Sequence, residues 1–321
     1  MDHTTLQRWC QRISWRALRH ICLALVTIIG AVPGAQSATL TVGAGQEYGS
    51  LSDAARAAQP GDLVKIAAGT YSDCAIWTTN NLTIEGTGLG TVLIDKICQE
   101  KAIFVISGSD VTVRGITFTR ARSRDGNGAG IRAEGTNLTV ERSIFLNNEE
   151  GILAGGNPQS SLIIRDSVFD HNGSCSNACA HGVYVGNIAR LQIERTHFIA
   201  TQVAHDIKSR ALRTILTANF LEDGPDGTSS YKVDLPNGGA LVMTNNIIEK
   251  GPKNQNHVAA IIIGEEGVSQ PTGEIVLARN HFKNDGPPTA FVKNLTATPA
   301  VLVGNIFDGQ IRPLVGDGTV R

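Results

Sequence analysis

Three short segments place charged and titratable side chains in matching positions: His181-Gly-Val-Tyr-Val-Gly186, His205-Asp-Ile-Lys-Ser-Arg210 and Tyr231-Lys-Val-Asp-Leu-Pro236. Aligned on Val183, Ile207 and Val233, they set Tyr184, Lys208 and Asp234 in one column. Gly182, Asp206 and Lys232 form a second column, and Gly186, Arg210 and Pro236 a third. Side chains alternate faces along a strand, so all three columns are expected on one exposed face, opposite Val183, Ile207 and Val233. Neighbouring parallel strands hold members of a column about 4.8 Å apart and residues i and i+2 about 6.6 Å apart, the reach of one sugar ring.

Such a face suits an acidic sugar. Cleavage of a uronate polymer by β-elimination needs a cation on the C6 carboxylate, a base for the C5 proton and an acid for the leaving oxygen. Arg210 and Lys232 supply positive charge. Lys208, beside Arg210 and one coil from Lys232, is the expected base, its pKa lowered by like charges and opposed in this by Asp206 and Asp234. His181 and His205 are the alternative bases, and Tyr184 or Tyr231 the acid. The His181, His205 and Tyr231 column continues back to Glu150. Gly130-Ile-Arg-Ala and Gly151-Ile-Leu-Ala add Arg132 and Leu153 to the column of Tyr184. Asp206, Tyr231, Lys232, Asn237, Arg132 and Glu265 are expected to bind substrate. At Ile261-Ile-Ile-Gly-Glu265-Glu266 the face is ambiguous by one residue, which leaves both glutamates as groove candidates.

Two other readings use the same residues. Asp206 and Asp234, offset by two positions on neighbouring coils, would stand about 8 Å apart, a separation suited to an inverting glycoside hydrolase. A non-catalytic glycan-binding or scaffold protein needs only charges that pair across strands, Asp206 with Lys232 and Lys208 with Asp234. The acidic turn with Glu222, Asp223 and Asp226 could bind Ca²⁺ weakly, though a solvated turn accounts for it as well. His197 and His281 are expected to be solvated, on a different sheet.

The chain has 321 residues, 35 Gly, 18% charged residues and formal net charge -1, with no basic excess of the kind that marks nucleic-acid binding. Arg8, Arg12, Arg16 and Arg19 precede an apolar run from Ile21, and Ala35-Gln-Ser37 offers small residues for cleavage. Residues 1–37 are therefore expected to be a secretory signal, with an uncleaved membrane anchor as the alternative. The remaining 38–321 carries a net charge of -4 and reads as one domain, secreted or periplasmic, monomeric and free of the membrane after cleavage. It keeps four cysteines. Cys74 and Cys98 lie one repeat apart and Cys175 and Cys179 would close a small loop, so two disulfides are expected. Zinc-ligand spacing is absent.

The elements that must carry the grid are repeats. Val111–Phe118, Leu138–Phe145, Leu162–Phe169, Leu191–Phe198, Arg213–Phe220, Leu241–Ile248, Ile275–Phe282 and Ala300–Phe307 share one pattern. Their ends fall 27, 24, 29, 22, 28, 34 and 25 residues apart. Period-2 alternation punctuated by Gly, Asn and Asp argues for strands rather than helical repeats. Thr39–Val42 reads as a first strand, and Ser50–Ala58, with apolar residues at helical spacing, as an amphipathic helix covering the open end of the first coil. Long turns at Asn172–Ala180, Asp223–Ser230 and Gly251–His257 would wall a groove.

These repeats, with Asn-x-Phe or Ser-x-Phe strand ends, resemble the single-stranded right-handed parallel β-helix of the pectin-lyase-like superfamily. The opening Gly-Gln-Glu-Tyr-Gly-Ser-Leu, helix, Pro-Gly-Asp-Leu-Val and Ala-Gly-Thr-Tyr71 resembles it too. The resemblance implies an all-β solenoid with an N-terminal capping helix over about Thr39–Asp308. It leaves the chemistry open among lyases, hydrolases, epimerases and adhesins. Lys208 with Arg210 is similar to the basic pair of some alginate and chondroitin lyases, although here both stand on one strand rather than on successive coils. The Asn-Thr-Asp and Arg-Ile-Lys motifs of polygalacturonases are absent, and Ala180-His-Gly matches their Gly-His-Gly only in part.

Overall fold

A computed structural model describes residues 37–88 and 90–321; the expected signal segment lies outside the described residues, save its last position. Apolar residues at alternate positions, interrupted every few residues by turn formers, wind the chain into a parallel solenoid of about eleven turns. One face is a sheet of twelve parallel strands, from Thr39–Val42 to Gly318–Val320. The other two faces join where the single strand His281–Asn294 runs around their shared corner, its start pairing with Ile247–Lys250 and its end with Ala259–Ile263.

Each expected repeat strand proves to be two strands meeting at a corner, as in Val111–Arg114 and Thr117–Thr119. Buried hydroxyls and amides satisfy the corner. Ser143, Ser167 and Thr196 are followed by Asn219, Asn246, Asn280 and Asn305, and each asparagine accepts from the backbone amide one coil below. Asn246 also donates to Leu216 O and Asn280 Oδ1, so no amide edge is left bare.

Inside, Phe118, Phe145, Phe169 and Phe198 stack at centroid distances of 5.1, 4.6 and 4.7 Å. The expected ladder breaks at the next coil. Phe198 pairs with Leu221, not Phe220, and Phe220 stacks on His197 at 4.3 Å on the outer side. The unusually short spacing to Phe220 is the sign of that slip, because one residue changes the face.

The Leu51–Ala57 helix starts at Ser50, whose side chain accepts from Asp53 N. Leu51, Ala54 and Ala55 belong to the core cluster, packed near the first strands. Disulfides join Cys74 to Cys98 on neighbouring coils and Cys175 to Cys179 across a two-strand hairpin. Asn81 and Asn137, both in Asn-Leu-Thr, adopt left-handed φ values of 55° and 58°, a turn role. Among the described residues no helix is long and apolar enough to cross a membrane.

Candidate active site

The strands Val183–Val185, Ile207–Ser209 and Val233–Leu235 are successive neighbours in parallel register, with Tyr184 opposite Lys208 and Lys208 opposite Asp234. Upstream, Arg132 pairs with Leu153 and Leu153 with Tyr184. The first column therefore stands as its spacing predicts. Val183, Ile207 and Val233 are fully buried and fix its phase.

The second column does not share that face. A bend at Gly182, Asp206 and Lys232 precedes each strand and breaks the alternation. A β-carbon on Gly151 or Gly182 would meet Phe169 or Phe198, so this position points into the core. Asp206 and Lys232 are accordingly fully buried. Lys232 Nζ lies 3.2 Å from Asp206 Oδ2 and against Asp223 Oδ1. Burial pushes the Asp206 carboxyl up, against the pull of Lys232. Asp206 and Lys232 are thus removed from the expected substrate-binding set, and Lys232 from the cations around Lys208. Asp206 does not face a groove with Asp234. The same placement corrects the acidic turn: Asp223 is buried against Lys232, while Asp226 pairs with Lys253 at 3.0 Å on the surface. Among the described residues no cluster of three His, Cys, Asp or Glu could hold a metal.

The residues that precede the bend, His181, His205 and Tyr231, stack along successive coils, with His181 and Tyr231 buried. His181 and His205 stack at 4.8 Å and His205 meets Tyr231 at 5.2 Å. The His205 backbone amide donates to His181 Nδ1 and the Tyr231 amide to His205 Nδ1, each at 3.2 Å. Both Nδ1 atoms therefore act as acceptors, and the neutral rings carry their proton on Nε2. Burial pushes His181 well below the usual histidine range and His205 down to about 3, so both are neutral at ordinary pH. Below them, burial pushes the Glu150 carboxyl well up, opposed by a hydrogen bond from the His181 backbone.

Arg210 is the hub. Its Nε donates to Tyr184 Oη at 2.9 Å, its Nη1 to Asn237 Oδ1, and its Nη2 to Glu266 Oε2 at 2.6 Å. Lys208 Nζ donates to Glu266 Oε1 at 2.8 Å and stands 3.6 Å from Asp234 Oδ2. His205 Nε2 faces the same Asp234 oxygen at 3.5 Å. Asp234 is almost wholly buried, and that burial pushes its carboxyl up to about 7 although Lys208 pulls it down. The Tyr231 hydroxyl donates to Glu265 at 3.0 Å, and burial pushes it up to about 12.

Tyr184, Lys208, Arg210, His181, His205, Tyr231, Asp234, Asn237 and Glu265 therefore come together. Arg132 shares the strand face two coils away and turns toward Glu134 at 3.6 Å. Glu266, ambiguous from sequence, closes the cluster: hydrogen bonds from Lys208 and Arg210 hold its carboxyl below the usual range. Ala259–Ile263 is apolar on both faces, so periodicity held no signal for its phase.

No family model matches the chain, and no curated protein is significantly similar in sequence. Solved structures do match. An alginate lyase from Paenibacillus sp. str. FPU-7 is 17% identical with a TM-score of 0.58, over 86% of this chain and 99% of that one. The pectate lyase Pel9A is 12% identical with a TM-score of 0.54, over 89% and 77%. At these identities the likeness defines a class of fold, the right-handed parallel β-helix of pectin-lyase-like proteins.

Proposed function

We propose that the protein is an exported enzyme that cleaves a uronate-containing polysaccharide by β-elimination. The observation that carries the reading is a lysine and an arginine converging on one carboxylate, beside a tyrosine hydroxyl that the same arginine holds. Two of the similar solved structures, polysaccharide lyases by name, support it, and two disulfides suit an oxidising compartment. Asp206 stands inside the core, and this favours elimination over the two-carboxylate hydrolysis that needs it beside Asp234.

Each group has a task. Arg210 meets the C6 carboxylate and stabilises the charge that grows there as C5 loses its proton. Lys208 passes a proton to Asp234, 3.6 Å away, and its free amine takes the C5 proton. The electrons of the C5–H bond move toward C6 and then return to form the C4–C5 double bond as the C4–O4 bond breaks. Tyr184 gives O4 its proton. The proton held on Asp234 restores Tyr184 through Lys208, so no proton is gained or lost and no water enters. His205 keeps its Nε2 proton toward Asp234 and acts as a positioning residue, not a base.

Near-ultraviolet absorbance of unsaturated uronate, followed over a panel of mannuronate, guluronate and galacturonate polymers, tests the proposal. Turnover of one polymer is expected, falling by about 10²–10⁴-fold in Lys208→Ala and in Tyr184→Phe without loss of thermal stability. Turnover that survives both changes would sink the assignment.

A further inference from the structure

One carboxylate of the chain itself spans the two cations of the site. Glu266 accepts from Lys208 through one oxygen and from Arg210 through the other. Its side chain is 44% exposed, whereas those of Lys208 and Arg210 are 14% and 23% exposed. The carboxylate thus caps the cations from the solvent side, where a sugar would arrive.

Glu265 and Glu266 occupy the middle of a tight turn closed by Gly267 N donating to Gly264 O at 3.2 Å. Both glycines take φ near +90°, a conformation that other residues rarely adopt. The backbone of this turn is tied down. Glu266 N donates to Pro236 O at 2.9 Å, and Ser269 N and Gln270 N donate to Asn237 O at 3.1 and 2.9 Å. Rotation of the Glu266 side chain alone therefore empties the position, with the loop in place.

A uronate presents the same group at C6. We infer that Glu266 is a built-in stand-in for the substrate carboxylate: it fills the carboxylate subsite of the free protein and is exchanged for the sugar's own on binding. This rests on the reading of the site as a uronate site and adds how that site is gated. Without Glu266, Arg210 would lose its carboxylate partner and Lys208 would keep only Asp234, 3.6 Å away. With it, the resting subsite is neutralised, and a ligand must bring a carboxylate of its own to take over both hydrogen bonds. Neutral sugars and methyl esters bring none. Self-occupancy lowers apparent affinity by the fraction of molecules in which the subsite is open.

The test is Glu266→Gln, which keeps size and removes charge. Initial rates and calorimetric binding are measured for wild type and variant with short mannuronate, guluronate and galacturonate oligomers, and with methyl-esterified galacturonate oligomers. For the acidic oligomer that wild type accepts, KM and Kd are expected to fall at least about five-fold in the variant, with no reduction of kcat and no gain on the ester. Unchanged or raised KM, a collapse of kcat or an equal gain on the ester would overturn the exchange while leaving the uronate reading intact. Absence of binding and turnover for every oligomer in both proteins would overturn both.

Discussion

Asp234 sets the pH behaviour of the site. Burial raises it to about 7, against an ordinary carboxylate value of about 4. The folded form thus holds a proton that the unfolded chain has already lost in this window. The stability Asp234 contributes is complete below about pH 4 and is lost as pH rises through 7. In the proposed mechanism ionised Asp234 is also the acceptor for the Lys208 proton, so kcat/KM is expected to rise through a limb near pH 7. Asp234→Asn should flatten the stability slope between those pH values, remove the limb and lower kcat. A variant that keeps the limb would assign it to another group. These residues were legible because Val183, Ile207 and Val233 pin the register, and the first column follows from them without any distant information. The histidine roles were not legible: the tautomer depends on backbone amides of the next coil, a contact no spacing encodes.

At the scale of the element, the bend before each site strand decides which side chains reach solvent. Strict alternation puts Asp206 and Lys232 on the groove; the bend sends them into the corner with Asp223, in coils where Leu221 and Ile248 replace the bulkier phenylalanines. Lys232→Met is expected to cost about 3–5 kcal/mol of stability, because two buried carboxylates lose their cation. In urea unfolding this appears as a lower midpoint, while KM of the remaining folded protein stays close to wild type. A loss of substrate affinity with stability intact would return Lys232 to the groove. The Phe220 slip has the same origin, since a local pattern continues across a change of phase that only pairing with Phe198 and Leu221 reveals.

For the whole molecule, the solenoid was legible because its repeat is carried by many coils at once, and errors of one residue in single coils leave the stack unchanged. What the repeat could not show is the closing contact of Glu266, more than fifty residues from Lys208 in sequence and brought over the site by the turn after Ala259–Ile263. The solenoid thus supplies a rigid row of strand positions, and one turn brings Glu266 onto Lys208 and Arg210. This arrangement is proposed to break a sugar chain by elimination, without water. Digestion of the accepted uronate oligomer in water enriched in heavy oxygen, followed by mass spectrometry, tests it most directly. After correction for exchange at the reducing-end anomeric oxygen, elimination predicts an unsaturated and a saturated product that carry no other solvent oxygen and whose masses sum to that of the substrate; products whose masses sum to the substrate plus one water would contradict it.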